Sequence, residues 1–240
     1  MGSSHFYLEF LLTWLSVLVS SGYKNPAIFA LEYTLVPDAA YPTQLNEAAK
    51  AYEHVLSIAR GPSTVCVSGD SAGATLILSL LLHLGSKETD GPSSHGRLPK
   101  PTLAVLISPW VTLVSPRHVN TESDYLDAHQ LEQYGRQFAG SNISAEDPLV
   151  SPGCCQDIAW WRRSSPSGGI FITYGTEEIF AAEIEELARV LQKAGVIVGT
   201  EAEAGGIHAW PVASLFLSSS RSKRLKGLTA ITTEIRKRIS

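Results

Sequence analysis

Ser71 stands in Gly69-Asp70-Ser71-Ala72-Gly73, a GxSxG pattern with a short apolar run before it and a helix-forming run after it. That context makes a serine chemically interesting. A serine on a sharp strand-to-helix turn projects its hydroxyl above a sheet, and the flanking glycines let strand and helix approach closely. The helix starting at Ala72 would aim its first free N–H groups at an oxyanion formed there, so the Ala72 N–H is one expected oxyanion donor. A serine hydroxyl needs a base, most often histidine, and that base needs a carboxylate to hold its tautomer.

Seven histidines are available. On a strand–elbow–helix framework the expected chain order is serine, acid, histidine. His5 and His54 precede the serine, His83 lies within the helix after it, and His95 lies in a polar loop. His118 and His129 come before the later strands and read as surface or packing residues. His208 follows the last expected strand, in Gly205-Gly206-Ile207-His208-Ala209-Trp210-Pro211, and is the expected base. The acid should follow the strand ending at Tyr174, where Gly175-Thr176-Glu177-Glu178-Ile179 offers two adjacent glutamates. Spacing alone does not separate the two; Glu178 is the preferred acid and Glu177 stays open. Asp147 and Asp157 lie in the permitted interval without following a strong strand.

The elements that must position these groups alternate along the chain. Strands are expected at 27–33, 63–68, 102–108, 169–174 and 196–202, and helices at 42–59, 72–84, 123–139, 179–194, 211–217 and 225–239. Residues 86–101 read as a surface loop, rich in Gly, Pro, Ser and charge. Strands separated by helices imply an α/β fold with a mostly parallel sheet and helices on both faces, with reactive groups just past the strands' carboxyl ends. The 240 residues, 44 % of them hydrophobic, suit one domain over 1–240.

Composition narrows the class further. A net charge of −4 gives no basic field for nucleic acid. Three cysteines, Cys66, Cys154 and Cys155, make neither a disulfide framework nor a zinc spacing, and no metal site is expected. The apolar stretch from Phe6 to Val19 is interrupted by Glu9, Thr13 and Ser16 and has no preceding Lys or Arg, so it reads as a buried helix. With no signal peptide, an intracellular location is favoured. Seven Lys or Arg against one acid from Arg221 onward read as the solvated face of a terminal helix; weak contact with an anionic membrane surface is the sharper alternative.

The chain resembles the hormone-sensitive-lipase-like esterases of the α/β-hydrolase fold, fungal members especially. The resemblance spans nearly its whole length. It rests on Glu32-Tyr33-Thr34-Leu35-Val36-Pro37 with Tyr41-Pro42, on the GDSAG at 69–73, and on Ser108-Pro109-Trp110. It continues through Asp147-Pro148-Leu149-Val150-Ser151-Pro152, Gly175-Thr176-Glu177-Glu178-Ile179 and His208-Ala209-Trp210-Pro211. It implies hydrolysis of a small-molecule carboxylic ester, without cofactor, by Ser71, His208 and Glu178; the family acid maps onto Glu178. Family substrates include short acyl esters, acetylated sterols and xenobiotic esters. One departure stands out: no His-Gly-Gly run, the family's oxyanion motif, precedes Ser71. The expectation is a domain lacking the family's first strands and lid, and the alternative reading is an impaired relative acting as a binding protein.

Overall fold

The computed structural model describes residues 4–86 and 98–239. Its centre is a four-stranded, all-parallel sheet in the order β1-β2-β3-β4: Cys66–Asp70, Leu103–Ile107, Ile170–Gly175 and Val198–Glu203. Parallel neighbours need crossovers, and helices supply them. α3 (Ala72–Leu84) follows β1, and α4 (Ala128–Ala139) and α5 (Ile158–Ser164) lie between β2 and β3. α6 (Ala181–Lys193) joins β3 to β4. α1 (Ser4–Ser20) and α2 (Thr43–Ile58) precede the sheet, and α7 (Trp210–Leu217) and α8 (Arg221–Arg238) follow it.

The period-two alternation of the central strands divides the core. Ala104, Leu106, Ile170 and Ile172 face α3, α5 and α6, where Leu78, Trp161 and Ile184 are buried. Leu103, Val105, Ile107 and Phe171 face the other way, toward Phe10, Trp14 and Leu18 of α1, Val212 and Leu215 of α7, and Leu228, Ile231 and Ile235 of α8. A third cluster seats α2 through Leu45, Ala48 and Tyr52 against Leu76, Leu80 and Leu84 of α3. The expected arrangement, helices on both faces of a parallel sheet, is the one observed.

Four of the five expected strands form. The fifth, 27–33, is extended chain without a ladder, and Ile28 and Phe29 are exposed. Apolar content predicts a strand there, but a strand exists only where another backbone accepts its hydrogen bonds, and β1 pairs only with β2 among the described residues. α1 is also less buried than expected. Its stripe Phe10, Trp14 and Leu18, at i, i+4 and i+8, packs inward, while Phe6, Leu8, Leu12 and Val19 are exposed. α4 begins at Ala128 rather than 123, because Asp127 caps it by accepting from the Gln130 N–H. α5, unforeseen, starts the same way under Asp157. Most of the expected loop at 86–101 lies outside the described residues. The bases of α8 are largely exposed opposite its buried Leu228 and Ile231. No described helix is long and apolar enough to cross a membrane.

Candidate active site

β1 ends at Asp70 and α3 begins at Ala72, so Ser71 is the single residue of the turn. Its backbone is held at φ 51°, ψ −121°, in a region that side-chain-bearing residues avoid. Main-chain bonds fix it there. The Ser71 N–H donates to the Ile107 carbonyl at 2.9 Å, and the Ser71 carbonyl accepts from the N–H groups of Ala74, Thr75 and Trp110. A Cβ on Gly69 would overlap the Gly73 carbonyl and crowd the Ala74 nitrogen, so only glycine lets β1 and α3 meet this closely. Gly69→Ala is expected to cost about 3 kcal/mol or more by backbone overlap, lowering Tm by roughly 10 °C for a chain of this size. Thermal unfolding followed by circular dichroism checks it, and an unchanged Tm refutes it.

Ala72 is the first residue of α3, so its N–H has no acceptor within the helix. It stands directly after Ser71 in the chain.

Beyond β3 the chain turns through Gly175-Thr176-Glu177-Glu178. The two glutamates part company here: Glu177 is exposed, whereas Glu178 is 4 % exposed. Glu178 Oε2 accepts from the Ser108 hydroxyl at 2.6 Å and from the Gly175 N–H at 2.9 Å. Its Oε1 is buried with no partner. Past β4, His208 is 3 % exposed and its Nδ1 is also buried without a partner. The two loops are brought together by backbone: the Thr176 N–H donates to the Glu203 carbonyl and the Glu177 N–H to the Gly206 carbonyl. A Cβ on Gly175 would collide with that Gly206 carbonyl.

Aromatic rings wall the histidine. Phe180 meets the imidazole edge-on with centroids 5.2 Å apart, and Tyr125 does so at 5.9 Å. Phe180 in turn stacks on Trp110 and touches His118. His118 itself is buried and paired with Glu183 at 2.7 Å, a packing role more specific than its sequence position indicates.

Asp124 is the site residue that sequence reasoning missed. It is 8 % exposed, accepts from the Ile179 N–H at 2.9 Å and from the His208 N–H at 3.3 Å, and so ties both loops to the segment after β2. Read locally, it sits in an expected helix; nothing nearby in sequence marks those partners. Asp147 and Asp157 are not part of the site: the first accepts from the Leu149 N–H within its own turn and the second caps α5. Asp70 accepts from the Tyr7 hydroxyl at 2.6 Å, which ties α1 to the turn.

Burial sets the protonation of the pair. Glu178 is pushed up to about 8 by loss of water, against the opposing pull of the Ser108 hydroxyl and the Gly175 N–H. His208 is pushed down to about 4 for the same reason, with the Asp124 charge opposing. Glu178 therefore holds its proton in the folded chain to higher pH than an unfolded carboxyl, which releases it near 4.5. Its contribution to stability is present below that value and lost as pH rises through about 8, at up to ~1.4 kcal/mol per pH unit. Between about pH 4.5 and 6.5 this loss is offset by His208, which an unfolded chain protonates near 6.5 and the folded chain holds neutral down to about 4. Tm is therefore expected to fall with this slope from pH 6.5 to 8.5 in the wild type and to flatten over that range in Glu178→Gln. Parallel curves refute it. Among the described residues no group of three His, Cys, Asp or Glu side chains could hold a metal ion.

Residues 21–212 match a family described as having the alpha/beta hydrolase fold. An acetyl-hydrolase of Streptomyces hygroscopicus is 28 % identical over 190 residues, covering 77 % of this chain and 57 % of the relative. Steryl acetyl hydrolase 1 of Saccharomyces cerevisiae is 23 % identical over 190 residues, covering 72 % of this chain and 42 % of the relative. The chain thus spans about half the length of the curated relatives it matches. Among solved structures, a hormone-sensitive-lipase homologue from a metagenome library superposes with a TM-score of 0.76 at 23 % identity, covering 96 % of this chain and 73 % of that one. The chain belongs to the alpha/beta hydrolase fold family.

Proposed function

We propose that this protein is a carboxylic-ester hydrolase that works through an acyl-enzyme, with Ser71 as nucleophile, His208 as base and Glu178 as the acid that orients it. Small or lipophilic esters, acetyl and short acyl esters foremost, are its substrates. The observation that carries the reading is a buried carboxyl and a buried imidazole beside a strained serine turn. Glu178 Oε1 is a buried acceptor and His208 Nδ1 a buried nitrogen, neither with a partner, on loops laced together beside the strained Ser71 turn. Buried polar atoms are normally satisfied, and two that are not stand on the acidic loop and the histidine loop. The names of the acetyl-hydrolase relatives support the choice of ester.

The chemistry follows from these roles. Ser71 Oγ attacks the ester carbonyl while His208 takes its proton, and Glu178 stabilises the resulting imidazolium. The Ala72 N–H, at the start of α3, donates to the oxyanion. The alkoxide leaves with the proton from His208, giving the acyl-serine. Water then attacks this ester by the same route, releasing the carboxylic acid and restoring Ser71. None of these steps calls on a metal or organic cofactor.

A fluorophosphonate probe tests the reading, because it phosphonylates only an activated serine. The folded chain is expected to take one label, mapped by peptide mass to Ser71. A folded chain that takes no label, and turns over no p-nitrophenyl acetate, overturns the proposal.

A further inference from the structure

β2 ends at Ile107, and the next residue turns at φ 45°. That residue is Ser108, which is fully buried. A side chain at positive φ costs on the order of 1 kcal/mol and persists only where its surroundings over-determine it. The surroundings here do so. The Ser108 N–H donates to the Thr173 carbonyl of β3 at 2.7 Å. Its hydroxyl donates to Glu178 Oε2 at 2.6 Å and accepts from the Ala209 N–H at 2.8 Å. Ala209, the residue after His208, is itself at φ 53°. Three segments that are distant in sequence therefore converge on one hydroxyl.

We infer that Ser108 is a positioning residue for the proposed chemistry: its hydroxyl sets the carboxyl of Glu178 against the loop that carries His208 and reserves Oε1 for the imidazole. The inference rests on the ester-hydrolase reading above and deepens it. A hydroxyl has one proton, and here it goes to Oε2, which the Gly175 N–H also fills. Oε1 is then the only carboxyl oxygen left to accept. The lone pairs of the same hydroxyl hold the Ala209 N–H, which fixes the backbone directly behind the imidazole. Without Ser108 Oγ, the carboxyl would lose one of its two donors and the buried Ala209 N–H would lose its acceptor.

The charges around Glu178 define what a test should read. His208, the proposed base, stands on the loop whose Ala209 N–H the Ser108 hydroxyl holds, and the Asp124 carboxylate pushes the Glu178 pKa up. Tyr125 and Tyr174 also face it, and burial pushes both phenols up to about 12, so they stay neutral. The Ser108 hydroxyl favours the ionised carboxyl. Removing it should delay ionisation of the pair to higher pH.

The test measures the rate of fluorophosphonate labelling against pH for the wild type, Ser108→Ala and Ser108→Gly. Glycine accepts φ 45° without strain, so it separates loss of the hydroxyl from any difficulty in folding. Both variants are expected to label at Ser71, with a plateau rate about 10- to 100-fold lower and an ascending limb displaced upward by about one pH unit. If the alanine variant does not fold, the glycine variant carries the same prediction. A labelling rate equal to the wild type, or one lowered equally at every pH, overturns the positioning role. A wild type that takes no label overturns the ester-hydrolase reading instead.

Discussion

Ser71→Ala is expected to lower ester turnover by roughly 10⁴- to 10⁶-fold and to abolish fluorophosphonate labelling, while leaving Tm within about 2 °C of the wild type. The separation of the two effects follows from how the turn is held. Every bond that fixes the elbow uses main-chain atoms of residue 71: its N–H to Ile107, and its carbonyl to Ala74, Thr75 and Trp110. Alanine keeps all of them and meets the same positive φ as serine. What disappears is the oxygen that attacks. Residual turnover would come from binding and the Ala72 N–H alone. The assay is p-nitrophenyl acetate hydrolysis beside a thermal melt. A variant that keeps more than about 1 % of the activity would mean that another nucleophile does the work.

The difference between what could and could not be read from the sequence is one of range. The GDSAG turn is a local object: five residues, a strand before and a helix after, and glycines where a Cβ would overlap backbone. It was legible at once, as was His208, because strand order on a parallel sheet limits where a base can stand. The choice between Glu177 and Glu178 was harder. The two are neighbours with the same charge, and only the turn after Gly175 decides which side chain points inward. Asp124 and Ser108 could not be assigned from their surroundings in sequence. Asp124 meets His208 across 84 residues, and Ser108 meets Ala209 across 101. Contacts of that span are set by β2, β3 and β4 lying side by side. Residues 27–33 show the opposite error. Their apolar character is that of a strand, but ladder formation depends on a free neighbouring edge in the right place, which no local pattern records.

The same geometry makes a sharp prediction for the adjacent glutamates. Glu178→Gln is expected to reduce turnover by about 10³- to 10⁴-fold, whereas Glu177→Gln stays within about twofold of the wild type. An amide fits the space of the carboxyl but has only one oxygen. The Ser108 hydroxyl and the Gly175 N–H both donate to Oε2, so the amide oxygen must settle there. The NH₂ then occupies the place of Oε1, so the carboxyl oxygen that the proposed mechanism offers to the imidazole is replaced by a donor, and the tautomer that takes the Ser71 proton loses its acceptor. Glu177, exposed to solvent, holds no such position. The pH dependence adds a second signature. The wild type needs the ionised carboxyl, so its turnover should climb as pH approaches about 8, over the range in which its Tm declines. Glu178→Gln should lose both trends together. Steady-state rates and melts across pH 6.5 to 8.5 would show it, and a Glu177 variant that behaved in this way instead would exchange the roles of the two residues.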